Sequence, residues 1–292
     1  MLVFECVAIG SGSGVRCTRC HPDTDVPTYR PADEVLSDVR VVTAGWTGGP
    51  GPNVTLTGPE PFAHPELPAV VAGAIEAGVS RLRLEVDGGA FQRPGNAEGA
   101  LGAGVRHVQV TLLGGTEGLH DALAGGPGAF DAATAGMAAF GEAVRVAGVD
   151  AIATVLVPVC RHNVKDLPAA VGAAVRAGAS SVLLRVEDGG IDLDAAAPWI
   201  TAACDTGEVN GVWVEVEGVP FCLLPAYDMH LASTIRSNPG AKPASICSAC
   251  ALDPWCSGGP AGASAETMSS FAPPPDAGRL ARAVALSRGG AE

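Results

Sequence analysis

Two groups of cysteines have the residue type and spacing best suited to chemistry. Near the carboxyl end, Cys247-Ser-Ala-Cys250 is followed by Cys256-Ser-Gly258, and Cys222 stands twenty-five residues upstream in Val219-Pro-Phe-Cys222. Two-residue spacings put thiols on one side of a tight turn, and four soft sulfur ligands suit either zinc or an iron–sulfur cluster. Spacing does not choose between these metals, nor between a structural and a functional role. Near the amino end, Ser13-Gly-Val-Arg-Cys17-Thr-Arg-Cys20-His21 follows the first expected strand. Cys17 and Cys20 by themselves fit a zinc site, a redox dithiol or part of a cluster. A third signal is Asn53-Val-Thr-Leu-Thr-Gly58-Pro59-Glu60-Pro61, a strand with a sharp exit that places a carboxylate where a substrate amine can be held. Gly10-Ser-Gly-Ser-Gly14 is similar to a phosphate-cradling loop, but it runs into the cysteine pair and His21-Pro22 instead of opening a helix.

The remaining candidates are weaker. Cys6 lies inside the first expected strand and reads as a small buried thiol, Cys204 as packing in a helix, and Cys160 as a thiol at the end of the strand Val155 to Val159. His21 and the His120-Asp121 pair at a strand exit are candidate ligands or bases, whereas His64, His107, His162 and His230 read as structural. Ser-His-Asp hydrolysis finds no Gly-x-Ser-x-Gly elbow between a strand and a helix.

The elements that must position these residues follow a βα rhythm. β-branched runs begin near Leu2, Asn53, Arg81, His107, Ala151, Ser180 and Val212. Between them lie Ala-rich amphipathic segments, including Pro65 to Ala77, Ala129 to Ala147 and Val164 to Ala177, closed by Gly78, Gly148 and Gly178 as helix C-caps. Runs such as Ala151 to Val157 and Ser181 to Val186 are nearly continuously apolar, which predicts a parallel sheet covered on both faces. The class is α/β, either an open doubly wound sheet or a partial (β/α) barrel. In both, chemistry belongs at the strand carboxyl ends, in the loops after Ile9, Thr57, Val86, Leu113, Val157 and Val186.

Composition narrows the partners. The 292 residues are 47% hydrophobic and 17% charged, which excludes wholesale disorder. With 31 Asp and Glu against 18 Lys and Arg, a net charge of -13, the chain lacks the basic footprint that nucleic acid or an anionic membrane requires. No long charge-free apolar window predicts a transmembrane helix, and Met1-Leu-Val-Phe4 offers no basic leader, so the expected location is the cytoplasm, with reduced thiols. The expected division is a βα unit over 1–217, a Cys-rich unit over 218–260 and a Gly/Pro/Ala-rich tail over 261–292 with a short helix at Ala277 to Ser287.

Taken together, these motifs resemble the radical S-adenosylmethionine (SAM) superfamily, in the subgroup with a C-terminal auxiliary cluster of the SPASM or twitch type. The likeness covers nearly the whole chain. Ser13/Cys17/Cys20 stand at the family's Cys-x3-Cys-x2-Cys loop, Gly58-Pro59-Glu60-Pro61 at its Gly-Gly-Glu-Pro turn, and Leu119-His-Asp121 leading to Gly125 through Phe130 at the segment after its fourth strand. The resemblance implies a partial (β/α) barrel and a [4Fe-4S] cluster held in part by Cys17 and Cys20. It also implies Gly58 and Glu60 at the SAM amino group, and an auxiliary [4Fe-4S] cluster on Cys222, Cys247, Cys250 and Cys256.

The implied activity is reductive cleavage of SAM and radical modification of a peptide or small molecule, with a reductant protein as electron donor. Three departures are visible. Ser13 replaces a thiolate with a harder, more basic ligand, and Cys6 is the candidate substitute, with Cys160 a second candidate. Pro59 removes an N–H and fixes φ in the SAM-binding turn, and Arg19 stands where the family often has an aromatic residue. They open a second reading, a non-catalytic partner subunit of a radical SAM enzyme that keeps only the auxiliary cluster. A third reading is a zinc-stabilised α/β binding protein.

Overall fold

The computed structural model describes residues 4–12, 26–47, 50–186, 191–231, 244–256, 258–259 and 271–287. Seven strands form one sheet: β1 (Phe4–Ala8), β4 (Asn53–Thr57), β5 (Arg81–Val86), β6 (His107–Thr111), β7 (Ile152–Val159), β8 (Ser181–Val186) and β9 (Trp213–Glu217). Their order across the sheet is their order along the chain, and β1 through β7 pair in parallel. A doubly wound sheet would reverse direction at a switch point; this one adds strands to one side only, which is the progression of a barrel-type βα fold. β1 and β9 remain outer strands, so the ring is not closed. A short antiparallel pair, β2 (Gly10–Ser11) with β3 (Thr28–Tyr29), follows β1.

The helices include α1 (Ala32–Ala44), α2 (Leu67–Glu76), α3 (Asn96–Gly102), α4 (Glu117–Ala124), α5 (Ala129–Ala147), α6 (Leu167–Arg176), α7 (Leu193–Val209), α8 (Ala244–Cys247) and α9 (Ala277–Ser287). Local chemistry sets their ends. The Thr116 hydroxyl caps α4 by accepting from the Leu119 N–H at 3.4 Å, and Asp192 caps α7 by accepting from the Ala195 N–H at 3.1 Å. The Asp121 carboxylate accepts from the Gly128 and Phe130 N–H groups at 2.6 and 2.9 Å, fixing the entry to α5, and Gly148 ends that helix at φ +64°. Asp121 is thus a cap, not a base.

The chain divides into two units, one of residues 1–156 with 172–181 and one of residues 157–171 with 182–292. In the first, Val54, Leu56, Leu82, Leu84, Val108 and Val110 are buried on the sheet face turned to the helices. A Cβ at Gly88 would touch both the Val110 side chain and Ala133 of α5, which shows how closely that helix seats. The opposite face departs from the expectation of apolar cover on both sides. Registers Cys6↔Thr55↔Arg83↔His107 and Gln109↔Thr154 line up polar residues across it. Alternation, not a continuous apolar run, is the rule on β4 to β6.

In the second unit, Arg185 Nε donates to Glu217 Oε2 at 2.6 Å, an ion pair with side chains only 16% and 11% exposed. His230 is buried, bridging the Val214 carbonyl at 2.7 Å and Glu208 Oε1 at 2.9 Å, and its ring stacks on Trp213 with centroids 4.6 Å apart. His230 is structural, as its sequence context predicts.

Candidate functional site

The exits of β4 and β5 meet at a pair of carboxylates. Gly58 leaves β4 at φ +124°, and a Cβ there would stand 3.2 Å from the Gly10 carbonyl oxygen, so the turn lies against the backbone that follows β1. Glu60 is then strapped at three points. Its Oε1 accepts from the Phe62 N–H at 3.1 Å, its Oε2 accepts from the Asp87 N–H at 2.8 Å, and its carbonyl accepts from the Tyr29 hydroxyl at 2.9 Å. Burial, and after it the neighbouring Asp87 carboxylate, push the Glu60 acid up to about 7. Asp87 Oδ1 is buried with no hydrogen-bond partner. Two carboxylates this close, with Glu60 holding a proton up to about pH 7, form an acceptor set that a shared proton, a cation or an N–H donor completes. Gly58 and Glu60, expected at this strand exit from the sequence, are joined there by Asp87. Its position directly after Val86, at a strand exit, was the signal available in the sequence.

A second polar group lies on the sheet face away from the helices of the first unit. Arg83 Nε donates to Thr55 Oγ1 at 2.8 Å while its guanidinium carbon sits 4.0 Å over the Phe4 ring. His107 Nε2 pairs with Thr154 Oγ1 at 2.8 Å, which pairs with Ser181 Oγ at 2.9 Å. Burial, with Arg83 and Arg81 adding to it, holds the His107 imidazole down at about 3, so it is neutral across the physiological range. Its Nδ1 and the Gln109 Oε1 are both buried without partners. Past the end of β6, His120 is wholly buried; its Nδ1 accepts from the Leu113 N–H at 3.1 Å, and burial lowers it to about 4. With Nδ1 accepting, the ring proton is on Nε2, which also has no partner. His120 is therefore a buried neutral donor, not a surface ligand or base.

The four C-terminal cysteines line one cavity in the second unit, with Pro220, Phe221, Leu252 and Phe271 among its walls. Turns bring them there: the Cys250 N–H donates to the Cys247 carbonyl at 2.9 Å and the Cys256 N–H to the Leu252 carbonyl at 2.9 Å. Burial pushes the Cys222 thiol up to about 11, with Cys256 and Cys247 adding to the rise and a hydrogen bond from the Ala272 backbone opposing it. The Gly258 N–H donates to Cys256 Sγ at 3.4 Å. N–H groups aimed at sulfur and an apolar surround are the environment in which thiolate-bound clusters are held and tuned. Among the described residues no three His, Cys, Asp or Glu side chains converge as a single-ion site does. The thiols therefore share a cavity without sharing a point.

The other sequence-derived candidates are distributed unevenly. Ser13, Cys17, Arg19, Cys20 and His21 lie outside the described residues. Cys6 is exposed rather than buried, because it takes the same alternate face of the outer strand β1 as Phe4 while Val7 points into the core. Cys160 is buried, its N–H donating to Asn163 Oδ1 at 2.8 Å. Cys204 is buried in α7, where burial holds its thiol up at about 12. His107 and Gln109 share the polar sheet face, which the polar residue between Val108 and Val110 signals in the sequence.

Fold and site together define a barrel-type α/β protein with a carboxylate pair at its strand exits and a separate four-cysteine cavity. No protein-family model matches the sequence, and no curated protein resembles it at the sequence level. Solved structures do match. SuiB of Streptococcus suis bound to its precursor peptide SuiA superposes with a TM-score of 0.58 at 13% identity, over 81% of this chain and 53% of that one. SuiB alone gives 0.57 at 14% identity over 81% and 54%, and SuiB bound to S-adenosylmethionine gives 0.55 at 12% over 74% and 50%. The chain thus spans about half the length of SuiB, and at these identities the likeness is one of fold. What this chain shares with SuiB is the fold of its α/β sheet.

Proposed function

We propose that the chain is a radical-SAM-type iron–sulfur protein that cleaves SAM reductively and modifies a peptide or small molecule. The observation that carries this reading is the Glu60–Asp87 pair, with its unpaired buried oxygen, at the exit of β4 in a fold shared with SuiB. In the proposed arrangement residues 1–217 hold SAM and substrate, and residues 218–260 hold an auxiliary [4Fe-4S] cluster on Cys222, Cys247, Cys250 and Cys256. Cys17 and Cys20, with Ser13 or Cys6 as third ligand, hold the cluster that meets SAM. When bound, such a cluster together with SAM would supply the one-electron chemistry for hydrogen abstraction from substrate. Glu60 and Asp87 orient the SAM ammonium, and the Gly58 turn brings backbone close to it. Four thiols lining one apolar cavity are the soft ligand set an iron–sulfur cluster takes. The peptide seen on SuiB supports a peptide substrate here.

Ser13 and Pro59 favour a second reading, in which the chain keeps the auxiliary cluster and serves a catalytic partner subunit. Anaerobic reconstitution with iron and sulfide, metal counting and assay of SAM cleavage separate the two. About eight irons and formation of 5′-deoxyadenosine support the enzyme. About four irons without cleavage support the partner subunit, and zinc without colour sinks both.

A further inference from the structure

Away from the strand exits, the helix layer of the first unit carries a groove of about 520 Å³ between α5 and the end of α6. Ala135 and Ala138 line it from α5, and Ala173 and Ala177 from α6. Helix layers close such gaps with longer side chains, because an unfilled one forfeits packing contacts. Two charges border the groove, Asp131 in the first turn of α5 and Arg176 in the last turn of α6. Both residues are exposed, and among the described residues neither the Asp131 carboxylate nor the Arg176 guanidinium forms a hydrogen bond or ion pair. The bonds that reach Asp131, from Gln92 Nε2 at 3.3 Å and the Thr134 hydroxyl at 3.4 Å, go to its carbonyl. Beside the groove, α5 turns a face of low net charge outward. Ala135, Ala138 and Val146 are exposed along the helical stripe that begins at Asp131, Val146 at 71%. The other charges on that stripe, Glu142 and Arg145, neutralise each other, with Arg145 Nε donating to Glu142 Oε2 at 2.9 Å.

We propose that this groove is where a second copy of the chain docks, across a two-fold axis that sets Arg176 of each copy against Asp131 of the other. Charge decides the occupant. At -13 per chain, two copies repel over most approaches, so a contact between them needs a patch without net charge. The groove is such a patch, with one unpaired acid and one unpaired base. A two-fold axis lying in the plane of contact, midway between Asp131 and Arg176, carries each residue onto the position that faces the other. This is the isologous relation, in which residue i meets j and j meets i. An unrelated partner would need a base and an acid of its own at the same separation, whereas a copy has both by construction. The short side chains of the groove let a second helix approach closely, and the exposed alanines and Val146 supply apolar surface to bury. Two exposed charge pairs fix register and exclude wrong partners more than they add affinity, so the dimer is a reversible one.

Analytical ultracentrifugation of the full chain in reducing buffer, from dilute to concentrated samples, tests this. The expected result is a monomer–dimer equilibrium that is the same before and after reconstitution with iron and sulfide, because no cysteine lines the groove. Arg176→Glu and Asp131→Arg are each expected to weaken self-association about tenfold or more, since like charges then face each other twice across the axis. Mixed in equal amounts, the two variants are expected to associate with each other as well as the wild type does, because every facing pair is again opposite in sign. Ala138→Gln lays a longer neutral side chain in the groove and is expected to weaken association without altering charge. It keeps the proposal testable should a charge reversal fail to fold. A chain that stays monomeric at every concentration would overturn the inference. So would a dimer that survives all three substitutions, or a mixture that associates no better than its components. None of these outcomes depends on SAM cleavage, so the proposed activity stands or falls separately.

Discussion

Glu60 titrates in the range where a cell operates. Its acid is raised from 4.5 to about 7, so the folded chain holds this proton more tightly than the unfolded chain does. The contribution favours folding in full below the unfolded value and is lost as pH rises through about 7, on the order of 3 kcal/mol. A bound ammonium reverses the preference, because it needs the carboxylate. SAM affinity measured by equilibrium dialysis on the reconstituted chain is therefore expected to rise about tenfold between pH 6 and 8. Glu60→Gln should bind SAM about tenfold or more weakly and show no such rise. A pH-independent affinity in the wild type would exclude Glu60 from ligand binding. Gly58 and Glu60 were legible as a strand exit with a carboxylate. The strand-exit position of Asp87 was legible too, but its pairing with Glu60 was not, because that nearness bridges 27 residues and arises only when β4 and β5 pair.

Element by element, glycine has opposite meanings within one helix. A Cβ at Gly136 of α5 would run into the Gly88 carbonyl after β5, whereas one at Gly141 meets nothing within 4 Å. Gly136→Ala is expected to cost about 2 kcal/mol or more, since backbone must shift. Gly141→Ala is expected to stabilise the helix by about 0.5–1 kcal/mol. Chemical denaturation of the two variants checks the contrast, and equal effects would mean that α5 is not seated on that turn. The periodic alanines and the closing Gly148 made α5 readable over 129–147 from sequence alone. The polar sheet face was harder to read. Thr154 is a lone polar residue in the run Ala151 to Val157, and its link to His107 spans 47 residues, so register and not pattern reveals it.

For the molecule as a whole, metal content is the sharpest observable. Replacing Cys222, Cys247, Cys250 or Cys256 singly with alanine is expected to remove about four irons per chain and their visible absorption, whereas Cys204→Ala, buried in α7, should leave both unchanged. Loading should also release protons, since the Cys222 thiol is held protonated up to about 11; a calorimetric titration in buffers of different ionisation enthalpy measures this. Iron retained in all four variants would mean the cavity is only packing. The four-cysteine spacing was legible without a structure, and so was the βα class. Periodicity alone does not choose between doubly wound and barrel-type order, because it reports strands and helices but never their neighbours; the motif resemblance made that choice, and the strand order agrees with it.

The unpaired buried atoms around β5 and β6 bear on how long the chain survives in a cell. Left unpaired, such atoms cost about 1–3 kcal/mol each, a large share of an ordinary domain's stability. Whatever fills the site stabilises the folded state in proportion to the logarithm of its concentration over its dissociation constant. Proteases that sample the opened chain would then remove empty copies faster than filled ones, tying abundance to the supply of ligand without any dedicated regulator.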